Sequence, residues 1–439
     1  MNQLTITPFA QPFDITIAPP GSKSLTNRAM VMAALADGTA TLSNVLMADD
    51  TRVMIDGLRK LGFALEVDEA TRKVRIEGRG GLVPAPDAEL FCGNSGTTIR
   101  FLTALCALGN GVYALDGVAR MRQRPIAALT GLLRQLGANP SHSPEADGFP
   151  PVQIVASGLP GGTIQYGSEV SSQFLSAILM VAPYAQTEVQ VELIGKQTSW
   201  PYIAMTMQLM DEFGVTPELV RDRDTGEPHK IIVPQGKYVP TDYAIEPDAS
   251  AATYFLAAAA SRKGAKVTIE GLGKRSLQGD VGFADVLQQM GADLVFGRDF
   301  VTMIGTGNLR GIDADLSNMP DAALTLAVVA LFARGETIIR GLHTLRVKET
   351  DRLAALQTEL TKLGAEVEID GDALIITPPA TLRPATIDTY DDHRMAMAFA
   401  IVGTVAEGVT INDPACVNKT YPEFFEDLEK LRAGEAEPR

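Results

Sequence analysis

The sequence predicts an α/β protein of six repeated units, packed three and three, with a buried bundle of apolar helices walled by sheets. Three observations lead there. A large apolar residue followed by Gly recurs at Leu61-Gly62, Leu136-Gly137, Phe213-Gly214, Met290-Gly291 and Leu363-Gly364, with Gly spacings of 75, 77, 77 and 73 residues. Segments rich in small apolar residues recur in step with it, and short alternating stretches lie between. A fixed period over a whole chain marks a repeat architecture.

Each element of the unit has its own signal. The first helix is apolar on most faces, as at 175–181, 251–260, 322–333 and 396–405; such a helix is buried. A strand follows, as in TATLS (39–43), VQVEL (189–193), KVTIE (266–270) and TIIR (337–340). The second helix is amphipathic: Met54, Leu58 and Leu61 fall at i, i+4 and i+7. Its end is the Gly of the repeat, the usual signal just past a helix. A strand pair closes the unit, as in AEVEID (365–370) and ALII (373–376). The sixth copy ends loosely near Leu431–Gly434. A linker is expected over 237–247, where Pro240 and Pro247 bracket a polar stretch.

Length and composition bound the function. With 439 residues the chain exceeds a single core, and two domains are expected. Lys plus Arg number 38 and Asp plus Glu 53, a net charge of −15. That balance argues against a nucleic-acid or anionic-membrane footprint, but not against a local basic pocket. Cys92, Cys106 and Cys416 are too few for a disulfide framework and lack metal-ligand spacing. The four histidines include no H-x-x-x-H pair. The N-terminus has no basic segment followed by an apolar core, so it is not a secretory signal. The longest apolar run, 322–333, is far short of the ~20 residues of a membrane span. A cytoplasmic protein follows as the expectation.

The chemistry gathers at the starts of the buried helices. These read GSKSLTNR (21–28), GNSGTTIR (93–100), SSQ (171–173), DAS (248–250), PD (320–321) and DDHR (391–394). Ser, Asn and Asp cap helices, and a helix N-terminus attracts phosphate or carboxylate. Singly each is an ordinary cap; six together concentrate anion sites. The P-loop spacing is absent from GSKS. Also absent are the nucleophile elbow, the kinase signature set and the dinucleotide fingerprint. In RVKETDR (346–352), Lys348 and Arg352 are four apart and Glu349 and Arg352 three apart, read here as one helical face. Three cations at a helix start oppose the dipole, and a bound anion would resolve the conflict. Basic groups, carboxylates and helix ends suit acid–base transfer between small anionic molecules.

The motifs PGSKSLTNR (20–28), GNSGTTIR (93–100), RMRQRPI (120–126), SSQFLSA (171–177), PDAA (320–323), RVKETDR (346–352), DDHRMAMAF (391–399) and DPACVNKTYPEFF (413–425) resemble the 5-enolpyruvylshikimate 3-phosphate synthase family, in its order and over nearly the whole chain. The resemblance implies an inside-out barrel fold of two similar lobes, each of three units with parallel buried helices. One lobe spans 21–243; the other joins 1–20 to 244–439, and the lobes close over the substrates. It implies transfer of the enolpyruvyl group of phosphoenolpyruvate to the 5-hydroxyl of shikimate 3-phosphate, releasing phosphate, on the path to chorismate and aromatic amino acids. No metal or organic cofactor, nucleic acid or membrane is implied. A monomer and the glyphosate-target family are.

The same resemblance assigns residues. Shikimate 3-phosphate falls to Lys23, Ser24, Arg28, Ser171, Ser172, Gln173, Ser199 and Tyr202, with Asp321, Thr344 and Lys348 from the other lobe. Phosphoenolpyruvate falls to Lys23, Asn94, Gly96, Arg124, Gln173, Arg352, His393, Arg394 and Lys419. Asp321 is the implied base facing the 5-hydroxyl, Glu349 the acid near the methylene carbon, and Lys23 is counted with them. Two departures stand out: Thr344 where the family usually has Asn, and Phe101 where it commonly has Pro. The second bears on glyphosate through the helix beside Gly96. Two alternatives remain. The sister enzyme acting on UDP-N-acetylglucosamine often carries a reactive Cys in the loop matching 116–124, which has none here. A non-catalytic anion-binding protein would leave Asp321 and Glu349 unexplained.

Overall fold

The computed structural model describes residues 2–167 and 171–434. The chain forms two compact units. The central unit is Gly21–Ile245; the split unit joins Met1–Pro20 to Glu246–Arg439.

The central unit contains helices α1 (Lys23–Leu35), α2 (Asp49–Lys60), α3 (Gly96–Cys106), α4 (Ala127–Gln135), α5 (Gln173–Val181) and α6 (Trp200–Glu212). The split unit contains α7 (Ala249–Ala260), α8 (Phe283–Met290), α9 (Ala323–Val329), α10 (Arg352–Lys362), α11 (His393–Gly403) and α12 (Phe424–Ala433). The odd-numbered helices are the apolar ones, and every residue of α3, α7, α9 and α11 is buried. Small side chains permit this: α7 reads ASAATYFLAAAA. The even-numbered helices bury one face; in α2 that is Met54, Ile55 and Leu58. Asp49 and Asp50 in its first turn and Arg59 and Lys60 in its last complement the helix dipole. Helices α2, α4, α6, α8 and α10 end at Gly62, Gly137, Gly214, Gly291 and Gly364, all at positive φ, where Gly carries no steric penalty. The sixth copy departs: Gly434 has φ −89°.

The sheets lie around these helices and explain what the expected unit lacks. Each of the first five units ends in three strands, not two. In the central unit one sheet runs Asp87–Phe91, Asn110–Asp116, Val152–Ser157, Asn139–His142. Its first strand belongs to the preceding repeat and pairs parallel with Asn110–Asp116. Likewise Gly162–Tyr166 pairs parallel with Val189–Leu193. Tyr243–Ala244 pairs parallel with Thr39–Ser43, closing the ring of three. Part of the expected linker over 237–247 is therefore a strand. Burial alternates along the strands, as in Val152–Ser157, so one face packs on the core.

In the split unit the N-terminal segment closes the ring. Asp14–Ile17 pairs parallel with Lys266–Glu270, and Gln3–Thr5 pairs antiparallel with Val409–Asn412. The expected helix over 322–333 is divided: Pro320–Ala322 and Ala330–Phe332 are 3₁₀ turns flanking α9. An aromatic cluster of Tyr254, Phe255, Tyr421 and Phe424 packs α12 on α7, with ring centroids 5.6 to 6.1 Å apart. No helix among the described residues is long and apolar enough to cross a membrane.

Candidate active site

In the central unit the expected residues gather at the N-termini of α1, α3 and α5. Ser22 caps α1 by accepting from the Leu25 N–H at 3.4 Å. That leaves Lys23 and Ser24 in the first turn, where Lys23 Nζ lies 3.5 Å from Asp50 Oδ2. One turn on, Arg28 is fully buried. Its guanidinium donates to Thr206 Oγ1 at 2.7 Å, Ser176 Oγ at 3.0 Å and the Ser24 carbonyl at 3.0 Å, and its Cζ lies 5.1 Å from the Phe101 ring centre. None of these partners is an acid. Burial accordingly pushes the Arg28 pKa down to about 10, opposed by Tyr202. Phe101 is thus a packing surface for this cation.

Ser95 caps α3 through the Thr98 N–H. Gly96 follows, and a close approach explains the glycine: an added Cβ would lie 2.6 Å from Arg124 Nη2 and 2.9 Å from its Cζ. The Arg124 guanidinium, buried, donates to the Asn94 carbonyl at 3.0 Å and Asn94 Oδ1 at 3.3 Å. At α5, Ser172 makes no side-chain cap, while Ser171 Oγ accepts from the Gln173 N–H at 3.3 Å. Gln173 is fixed from two sides. Arg100 donates to its Oε1 at 2.6 Å, and its Nε2 donates to Thr97 Oγ1 at 3.1 Å. Ser199 precedes α6 in the left-handed region, at φ 52°, and its carbonyl accepts from the Tyr202 N–H at 3.1 Å.

In the split unit one guanidinium organises the rest. Arg352 is the first residue of α10 and about 1% exposed. It donates to Asp392 at 2.7 and 3.1 Å, to Asp321 Oδ1 at 2.8 Å and to Glu349 Oε2 at 2.9 Å. The other cations attach to the same acids: Arg394 to Asp321 at 3.2 Å, Lys348 to Asp321 at 3.5 Å, and Lys419 to Glu349 at 3.9 Å. Burial works against the Arg352 charge, but Asp392, Glu349 and Asp321 together hold its pKa above the ordinary value. His393 is buried at the start of α11, its Nδ1 3.7 Å from Asp392 Oδ1. Thr344 sits in the 3₁₀ stretch His343–Val347, its hydroxyl buried without a hydrogen-bond partner among the described residues.

The helical reading of 346–352 needs correction. Helix α10 begins at Arg352 with Asp351 as its cap, and Lys348 is extended. The Glu349–Arg352 pair forms between the approach loop and the helix. The dipole conflict is met by carboxylates of the chain itself. Sequence reasoning missed Arg100, although it lies in the GNSGTTIR motif, and gave Asp392 no role. Asp50 reads in sequence only as a first-turn acid. Among the described residues no group of three or more His, Cys, Asp or Glu could hold a metal ion.

The described geometry offers two clusters. The central one presents fixed hydroxyls, an amide and cations. The split one presents two carboxylates suited to proton transfer, each beside several cations. Comparison with known proteins identifies the family. A sequence model of the family described as EPSP synthase (3-phosphoshikimate 1-carboxyvinyltransferase) matches residues 10–428. The chain is 46% identical to the 3-phosphoshikimate 1-carboxyvinyltransferase of Shewanella baltica, covering 98% of this chain and 100% of that one. It is also 46% identical to that of Vibrio vulnificus, covering 98% and 99%. Among solved structures it is similar to the EPSP synthase of Acinetobacter baumannii, with TM-score 0.81, 28% identity and 98% of each chain covered. The enolpyruvyl transferase NikO of Streptomyces tendae shares the fold, with TM-score 0.76 at 20% identity over 98% of this chain and 97% of that one.

Proposed function

The chain belongs to the EPSP synthase (3-phosphoshikimate 1-carboxyvinyltransferase) family, and on that premise we propose how it transfers the enolpyruvyl group of phosphoenolpyruvate to the 5-hydroxyl of shikimate 3-phosphate, releasing phosphate. The observation that carries the reading is Arg352, which holds Asp321 and Glu349 on two arms of one buried guanidinium.

Transfer needs two protons moved. The 5-hydroxyl must lose one as its oxygen attacks C2 of phosphoenolpyruvate, and the methylene carbon must gain one. Asp321 takes the first, with Lys348 beside it to steady the developing charge. Glu349 gives the second. The tetrahedral adduct then loses phosphate as the C–O bond breaks, the phosphate leaving with the proton that Asp321 took, and Glu349 takes back a proton from the new methyl group. Two carboxylates dividing these tasks is ordinary acid–base economy. Asp321, Glu349 and Asp392 serve Arg352 as counter-ions. The carboxylate and phosphate of phosphoenolpyruvate would take over part of that role and release Asp321 and Glu349 for proton transfer.

In this reading Arg124, Gly96, Asn94, Arg352, Arg394, His393 and Lys419 bind phosphoenolpyruvate. Ser24, Arg28, Ser171, Ser172, Ser199 and Tyr202 bind shikimate 3-phosphate, with Thr344 and Lys348 from the split unit. Lys23 and Gln173 serve both. Fixed guanidinium forks and Lys charges offset the repulsion between two phosphates and two carboxylates. The enzyme acts as a cytoplasmic monomer; its three free, buried cysteines suit a reducing compartment.

Phosphate release with phosphoenolpyruvate tests the reading, with shikimate 3-phosphate and UDP-N-acetylglucosamine as alternative acceptors. Release with shikimate 3-phosphate alone is expected. Release with the nucleotide sugar alone would keep the chemistry and overturn the acceptor.

A further inference from the structure

The segment that delivers Asp392 to Arg352 is a turn whose backbone is energetically uphill. Its closure is the Asp392 N–H donating to the Thr389 carbonyl at 2.9 Å. Both central residues, Tyr390 at φ 57° and Asp391 at φ 55°, lie in the left-handed region. Turns of that kind select Gly, Asn or Asp, and a tyrosine there is costly. Something must hold it.

What holds it is α10. Arg352, the first residue of that helix, grips Asp392 at the end of the turn. Glu359 lies seven residues on, two turns along the same helical face. Its buried carboxylate accepts from the Tyr390 hydroxyl at 2.6 Å and from the Asp388 N–H at 3.1 Å. Lys362 completes the attachment, with Nζ 2.8 Å from both Glu359 and Asp388. One rigid helix therefore fastens the turn at both ends. Tyr390 is otherwise 41% exposed, so its ring has little other reason to be fixed.

We propose that Tyr390 and Glu359 are positioning residues for the reaction: their hydrogen bond holds the left-handed turn so that Asp392, His393 and Arg394 enter α11 in register with Arg352. They touch no substrate. The proposal rests on the assignment of the Arg352 cluster to phosphoenolpyruvate.

The test is steady-state kinetics of four variants of the full chain, with thermal unfolding alongside. Tyr390→Phe removes one hydroxyl and is expected to lower kcat/KM for phosphoenolpyruvate about tenfold. The KM for shikimate 3-phosphate should stay within twofold. Glu359→Gln keeps an acceptor for the hydroxyl and is expected to stay within threefold of the parent. Tyr390→Gly takes the costly side chain out of the left-handed position, so the turn no longer needs the clamp, and should keep at least half of the efficiency that Tyr390→Phe loses. A purely structural role would lower the unfolding temperature without this kinetic recovery. Parental efficiency in Tyr390→Phe, or an equal loss in Tyr390→Gly, overturns the clamp. Arg394→Ala separates the premise: if it too leaves phosphoenolpyruvate kinetics unchanged, the assignment of the cluster fails, not only the clamp.

Discussion

Arg28 in the central unit and Arg352 in the split unit are each about 1% exposed, yet they are neutralised in opposite ways. Arg28 meets hydroxyls, a carbonyl and an aromatic ring, and burial lowers its pKa. Arg352 meets three carboxylates, which raise its pKa despite burial. A buried cation without an acid is poised to take an anion from outside. A buried cation loaded with acids is poised to exchange them. On the function proposed above, the contrast separates a unit that recognises an acceptor from a unit that moves protons.

The contrast has measurable consequences, and the largest is in stability. Arg352→Met removes the guanidinium that holds the fully buried Asp392 and should cost about 3–5 kcal/mol in urea unfolding at pH 7, although Asp321 keeps Arg394 and Lys348 and Glu349 keeps Lys419. Arg28→Met strands no charge, and Thr206 already donates to Ser176 at 2.9 Å. Its stability should therefore change by no more than about 1 kcal/mol, while the KM for shikimate 3-phosphate rises about tenfold or more. Equal destabilisation by the two substitutions would erase the distinction.

Smaller effects sharpen it within the central unit. Gly96→Ala pushes on the Arg124 guanidinium, 2.6 Å from the new Cβ. Initial rates at varied phosphoenolpyruvate should show its KM about tenfold higher, with kcat little changed. Arg100→Leu frees Gln173 Oε1 from its 2.6 Å bond. The longer Arg100 bonds to Ser171 Oγ and the Pro125 carbonyl, both 3.4 Å, go as well, but only the one short bond positions Gln173, so substrate KM values should rise only about fivefold.

Much of this architecture was legible in the sequence, for physical reasons. Burial of a helix on all sides demands apolar, small residues, and the terminal Gly recurs because only Gly enters the left-handed region without penalty. That is why the odd helices and five of the six repeat ends could be read. The sixth end was the faintest: its helix does stop at Ala433 before Gly434, but Gly434 has an ordinary φ, and the neighbouring sheet is completed by Gln3–Thr5 from the far end of the chain. The strands Gly162–Tyr166 and Tyr243–Ala244 were hidden for a similar reason, since each pairs with a different repeat and carries little pattern of its own. In the site, motif residues such as Arg352 and Asp321 were visible, but their partners were not. Spacing of three and four placed Lys348, Glu349 and Arg352 on a helix, whereas Asp351 caps the chain and starts the helix only at Arg352. Local periodicity cannot see a carboxylate forty residues away, and Asp392 is that far from Arg352.

The decisive experiment is a paired measurement on Asp321→Asn: turnover, and affinity for shikimate 3-phosphate. The chain's single tryptophan, Trp200, directly follows Ser199 and gives a fluorescence signal for acceptor binding. If Asp321 is the base for an acceptor held mainly by the central unit, kcat falls about a hundredfold or more while affinity stays within threefold. Near-parental turnover, or a loss of affinity large enough to explain the whole defect, would contradict that division of labour.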